Sequence, residues 1–248
     1  MAFDHALNTF RCLLSPKHLI SAIRHDLFYA GLNRNVDGLE DLGDRSQGCN
    51  WTTRTKFLTP SSVIYSAGVG KDISFEHALV DTYGVNIELL DPSPTALETM
   101  ALAANQRKEL RFHKLALAGH TGTLEMAPPA DPVEGSWISQ TDSDHLAPPT
   151  PGGVTVPCTT VGDLMRKLGH TSIDLLKIDI EGAEYQMLEA ILQDHTPIRQ
   201  IAVEFHSGIL PDIPRGLTIK TLVKLYRHGY RIIHKTGSNH TLYLASEL

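Results

Sequence analysis

The segment Ile173-Asp-Leu-Leu-Lys-Ile-Asp-Ile-Glu-Gly-Ala-Glu184 constrains the fold more than any other part of the chain. Ile173, Leu175, Leu176, Ile178 and Ile180 make the near-continuous apolar run of a strand covered on both faces by helices. Lys177, Asp179, Glu181 and Glu184 then place charge at and just past its carboxyl end. Unpaired buried charge costs several kcal/mol, so these groups need partners among themselves, a ligand or a metal. In open α/β sheets, ligands bind outside the carboxyl ends of the strands. Gly182 permits a tight turn, and Ala183, Met187, Ala190 and Ile191 continue at helical spacing. The segment reads as strand, acidic edge, helix. A purely structural ion-pair network is the plainer alternative.

Ser62-Val-Ile-Tyr-Ser-Ala-Gly-Val-Gly70 is a second short strand, running into a Gly-x-Gly turn. Glycines there let the backbone approach a ligand, and the following helix, expected over 71–83, offers free amides. The third glycine of the dinucleotide fingerprint is missing, its position being Ile73. Asn86-Ile-Glu-Leu-Leu90 reads as the next strand, with Asp91 at its end, 21 residues beyond Gly70. An acid so placed accepts hydrogen bonds from ribose hydroxyls. Together the turn and Asp91 point to an adenosine-bearing ligand.

These motifs carry a resemblance. Val63 to Asp72, Glu88-Leu-Leu-Asp-Pro92, Leu175 to Glu184 and Gln200-Ile-Ala-Val-Glu-Phe-His206 are similar to the motifs of FkbM-type S-adenosylmethionine-dependent methyltransferases. The resemblance spans about residues 47 to 245. It implies an α/β, Rossmann-like class I methyltransferase fold: a mostly parallel seven-stranded sheet, a C-terminal antiparallel hairpin and helices on both faces. It also implies S-adenosylmethionine as cofactor and O-methylation of a hydroxyl on a small molecule or glycan. Carried onto this chain, the cofactor would meet Ser66, Ala67, Gly68, Gly70, Asp72, Asp91, Pro92, Ala116 and Asp179. Ala116 rests on the resemblance and on strand order alone. One departure stands out: Tyr65-Ser66 replaces the family's acid at the end of the first strand. Contact to the methionine amino group must then come from elsewhere, with Ser66, carbonyls near Gly68 or Asp72 as candidates.

The rest of the chain alternates as βα units demand. Strands are expected near 62–66, 86–90, 110–115, 173–179 and 198–205, and helices near 71–83, 94–106, 159–168, 182–193 and 216–228. Tyr230 to His234 and His240 to Ala245 form a hairpin around Thr236-Gly-Ser-Asn239. Residues 61–248 read as the methyltransferase domain and 1–60 as an N-terminal helical cap or lid. In the latter, Pro16 to Ala30 is an amphipathic helix and Asn33 to Gln47 a loop. Trp51 is a stacking or packing residue. Ala127 to Gly153, rich in proline and centred on Ser136-Trp-Ile-Ser139, is expected to be an irregular insert at the active-site edge.

Asp179 ends one central strand, and Glu204 and His206 end the next with i, i+2 spacing. These three are the candidate catalytic residues. His206 could act as general base oriented by Asp179 or Glu204, or the three could hold a divalent metal that acidifies the acceptor hydroxyl. Two other functions compete: a nucleotide-cofactor (NAD or FAD) oxidoreductase, and a non-catalytic cofactor-binding scaffold.

The 248 residues carry a formal net charge of -6 and no long basic run, which argues against nucleic acid as a partner. No apolar stretch approaches membrane-spanning length. Cys12, Cys49 and Cys158 fit neither a disulfide framework nor zinc spacing, so a cytoplasmic setting is expected. A homo-oligomer is compatible with this composition.

Overall fold

Thirteen strands and five helices are laid out along the described residues of this computed structural model: 29, 33–46, 48–129, 135–139, 151–210, 213, 214 and 216–247. In chain order they are β1 Leu39–Leu42, β2 Trp51–Arg54, β3 Val63–Ala67, α1 Ser74–Tyr83, β4 Asn86–Leu90 and α2 Pro94–Ala101. Next come β5 Leu110–His113, β6 Ala116–Leu117, β7 Gly122–Ala127, β8 Ile138–Ser139, β9 Val154–Thr159 and α3 Val161–Leu168. The series closes with β10 Ile173–Ile178, α4 Glu184–Gln193, β11 Ile198–Glu204, α5 Leu217–Arg227, β12 Tyr230–Thr236 and β13 Asn239–Leu244. The chain divides into two compact units, Met1–Asn35 and Val36–Leu248, and every element named here belongs to the second. The helix expected over 16–30 lies outside the described residues apart from Tyr29.

A seven-stranded sheet in the order β12-β13-β11-β10-β3-β4-β5 forms the centre. Its pairings are parallel except that β13 runs antiparallel between β11 and β12. The mixed α/β sheet and its terminal hairpin thus match the expected class I architecture. The chain builds outward from β3 to β4 and β5, then crosses back to the other side of β3 as β10, so the gap between β3 and β10 is the topological switch point. Register aligns Ala67 with both Leu90 and Ile178, which brings Gly68, Asp91 and Asp179 to one rim.

Local chemistry fixes the helices on this sheet. Ser93 caps α2 by accepting the Ala96 amide, with Pro94 in the first turn, and Thr160 caps α3 through the Asp163 amide. α1 ends at Gly84 with φ +64°, the left-handed cap that returns an amide to the Val80 carbonyl. Phe75, Leu79 and Val80 of α1 pack with Ile64, Ile87, Leu89 and Leu175 of the sheet in one buried cluster. Full burial of each such side chain contributes roughly 1.5–3 kcal/mol.

Two parts of the fold differ from expectation. Leu39–Leu42, expected as loop, pairs antiparallel with Trp51–Arg54. The hairpin is anchored to the sheet by buried Gln200, which accepts the Arg54 amide at 2.8 Å and donates to the Arg54 carbonyl at 3.3 Å. The Thr241 hydroxyl donates to the Thr52 carbonyl beside it. Between β5 and α3 stands a second sheet that was not expected, in the order β6-β9-β7-β8; it flanks the insert expected over 127–153, within which β8 is its one whole strand among the described residues. It has its own apolar cluster of Ala116, Ala118, Leu124, Met126, Val156 and Cys158, against which Trp137 packs. Most of 130–150 lies outside the described residues.

Candidate functional site

At the carboxyl ends of β3, β4 and β10 opens a cleft of about 540 Å³, within the usual range for a small-molecule site. Gly68 begins its floor. With φ +88° it adopts a left-handed backbone, and a Cβ there would lie 1.7 Å from the Asp179 carbonyl oxygen. Only glycine lets β3 and β10 close at this point. Gly70, φ +53°, faces open space: an added Cβ would meet nothing within 4 Å.

Asp91 holds this turn. One of its carboxylate oxygens accepts the Val69 and Gly70 amides at 2.9 and 3.2 Å, and the other accepts the Ser93 amide at 2.8 Å. The carboxylate expected to meet ribose therefore also builds the turn, with acceptor capacity left for one more donor. Asp72 is similarly committed, accepting the Ser74 amide at 2.9 Å and the Ser74 hydroxyl. Pro92 and Ala116 line the cleft beside Asp91. Ser66 and Ala67 do not; both are buried beneath the turn, where the Ala67 carbonyl accepts the Asp179 amide.

The Ser66 hydroxyl instead donates to Glu76 in the first turn of α1, and Glu76 does line the cleft. No sequence motif singled out this acid, because ten residues and a turn separate it from Ser66. Lys177, buried, donates to the Gly68 carbonyl at 2.6 Å and sits over the Trp51 ring at 5.3 Å. Asp179 is 3.9 Å from its ammonium. Trp51 both packs in the core and lines the cleft.

Asp179, packed against the glycine turn, lines the cleft together with Glu181 and Glu204, and buried His206 stands next to them. Glu184, fully buried at the start of α4, accepts the His206 backbone amide at 2.9 Å and faces its Nδ1 at 3.2 Å. Its second oxygen accepts the Gly182 amide at 2.8 Å. The imidazole Nε2 faces Glu181 at 3.2 Å and Asp179 at 3.9 Å. Burial disfavours the His206 cation, yet Glu184, Glu181 and Asp179 outweigh it and push its pKa up to about 9. Burial pushes Glu181 up, with Asp179 repulsion added and His206 opposing. Burial also raises Glu204, which accepts the Ser238 hydroxyl at 2.7 Å.

The structure thus groups Asp179 with His206 as the strand order suggests, but the carboxylates nearest the imidazole are Glu181 and Glu184 rather than Glu204. Both were visible as acids after β10. Their partnership with His206 depends on Glu181 taking φ +46° and on α4 starting where it does. Asp179, Glu181 and His206 can each offer a ligand atom, all within 4.8 Å of one another.

Comparison with known proteins follows this geometry. Residues 62–232 match a family model described as the methyltransferase FkbM domain. No curated protein matches the chain. Among solved structures, it is similar to a fibrillarin pre-rRNA processing protein from Methanococcus jannaschii at 9% identity and a TM-score of 0.44, covering 75% of this chain and 68% of that one. Fibrillarin from Aeropyrum pernix with natively bound S-adenosyl-L-methionine aligns at 9% identity and TM-score 0.41, covering 87% and 85%. TrmK from M. capricolum with S-adenosyl-homocysteine aligns at 11% identity and TM-score 0.37, covering 76% and 63%.

Proposed function

Because the chain belongs to the FkbM methyltransferase domain family, we propose that it methylates a hydroxyl of a small molecule or glycan, using S-adenosylmethionine. The observation that carries this reading is that one cleft is lined both by a glycine turn tied to Asp91 and by the Asp179, Glu181 and Glu204 carboxylates. The nucleotide-cofactor oxidoreductase has no comparable support.

The residues present fit the cofactor. Gly70 leaves room above the turn, Asp91 keeps acceptor capacity for a ribose hydroxyl, and Pro92 and Ala116 offer apolar surface for the base. When bound, S-adenosylmethionine supplies an electrophilic methyl carbon. The chain must then align an acceptor oxygen and take its proton. We assign the proton-accepting role to Glu181, whose burial makes its carboxylate a stronger base than a surface acid. Asp179 orients the hydroxyl beside it. His206, with a pKa near 9, carries a proton at neutral pH; it holds the two carboxylates rather than acting as the base.

A metal-assisted variant has one specific observation in its favour. Asp179, Glu181 and His206 converge, and Glu184 fixes the far side of the imidazole as carboxylates do for metal-bound histidines. A divalent ion held there would lower the pKa of the acceptor hydroxyl.

Methyl-labelled cofactor incubated with a mixed pool of small hydroxylated metabolites and oligosaccharides tests the proposal by mass spectrometry. Label is expected on oxygen, with Glu181→Gln lowering turnover about 10²–10⁴-fold. Label appearing only on nitrogen, or full turnover in Glu181→Gln, would contradict it. Loss of activity in EDTA, restored by a divalent ion, selects the metal-assisted variant.

A further inference from the structure

The structure assigns to Glu76 and Ser66 a subsite for an alkylammonium group, which on the reading above is the amino group of the cofactor's methionine end. β3, Val63-Ile-Tyr-Ser-Ala67, carries no acid; Tyr65 is wholly buried, its hydroxyl bonded to His170 Nδ1 at 2.8 Å. The negative charge that this strand end lacks is supplied by the next helix. Glu76 is only 2% exposed, yet it lines the cleft.

A carboxylate so enclosed is costly unless something compensates its charge. Among the described residues its one hydrogen-bond partner is the Ser66 hydroxyl, a neutral donor. Lys177, the buried lysine of the cleft, is engaged by the Gly68 carbonyl, and its ion-pair partner is Asp179. The side chain is therefore a buried carboxylate on the cleft lining whose one neutral partner leaves it placed to receive a cation from the cleft.

The chemistry of that cation follows from the donors it must bring. An ammonium group offers three N–H donors, which a carboxylate accepts in charge-assisted bonds. A sulfonium offers none. With the nucleoside end placed at Asp91 and Ala116, a ligand crossing the glycine turn brings its opposite end toward α1, where Glu76 stands. Ser66 then acts as a positioning residue, fixing one carboxylate oxygen by its hydrogen bond.

The test compares two ligands by calorimetry on the full chain: S-adenosylhomocysteine, which carries the ammonium, and 5′-methylthioadenosine, which lacks the whole amino-acid end. Glu76→Gln keeps the shape and an acceptor for Ser66 but removes the charge. It is expected to weaken S-adenosylhomocysteine about 10- to 150-fold while leaving 5′-methylthioadenosine within about twofold. Equal affinity of wild type and Glu76→Gln for S-adenosylhomocysteine overturns the inference and leaves the cofactor reading intact. An equal loss for both ligands also overturns it, as general damage to the cleft. Failure of the wild type to bind either ligand overturns the cofactor reading and this subsite with it.

Discussion

His206 shows how single residues set the character of the site. Three carboxylates around a buried imidazole raise its pKa from 6.5 to about 9, so the folded state holds a proton that the unfolded chain releases near 6.5. The sign follows from linkage: the stabilisation is complete below about pH 6.5 and is lost as pH rises through about 9. In EDTA-containing buffer, the denaturant-derived stability of the wild type should fall across that window by up to about 1.4 kcal/mol per pH unit. His206→Gln should flatten that slope; an unchanged slope would show that His206 is not the titrating group. Of these residues the sequence displays the identities but not the pairings. Gly68 is legible as half of a Gly-x-Gly turn, although its real constraint is the Asp179 carbonyl. Glu76 carries no local signal, since only the β3–α1 turn brings it to Ser66.

At the scale of elements, the glycine turn and the end of β4 behave as one unit, because Asp91 accepts amides from both sides. Asp91→Ala leaves three partly buried amides without their acceptor. Each such loss costs about 1–3 kcal/mol where water cannot replace the bond. The urea midpoint should therefore drop by an amount equivalent to at least ~1 kcal/mol with an unchanged m value, alongside weaker S-adenosylhomocysteine binding. Weaker binding with an unchanged midpoint would restrict Asp91 to ligand contact. The parallel strands β3, β4, β10 and β11 were legible because each is an apolar run buried on both faces and bounded by turn residues. β9 was not: Pro157 stands within it, paired with Thr123, and proline inside a run argues against a strand. β1 was obscured by Glu40 and Asp41, which suit a half-exposed hairpin rather than a buried strand.

Across the whole molecule, strand order decides where the chemistry sits. The crossovers that reverse at β3 bring Gly68, Asp91 and Asp179 to one rim, and the β11 end adds Glu204 and His206. The alternation of strands and helices made this architecture legible, whereas the second sheet beside the cleft was not: β6 and β8 are two residues each, and β7 and β9 mix buried with exposed positions. Among the described residues no helix is long and apolar enough to cross a membrane. Everything proposed for the cleft depends on its accepting S-adenosylmethionine or its product. The most direct test is titration of the wild-type chain with S-adenosylhomocysteine, followed by calorimetry and thermal unfolding. One-to-one binding is expected, and at ligand about 100 times Kd the added stability of ~2.7 kcal/mol should raise Tm by roughly 5–10 °C. No binding heat and an unmoved Tm at millimolar S-adenosylhomocysteine, with NAD giving both, would contradict the account.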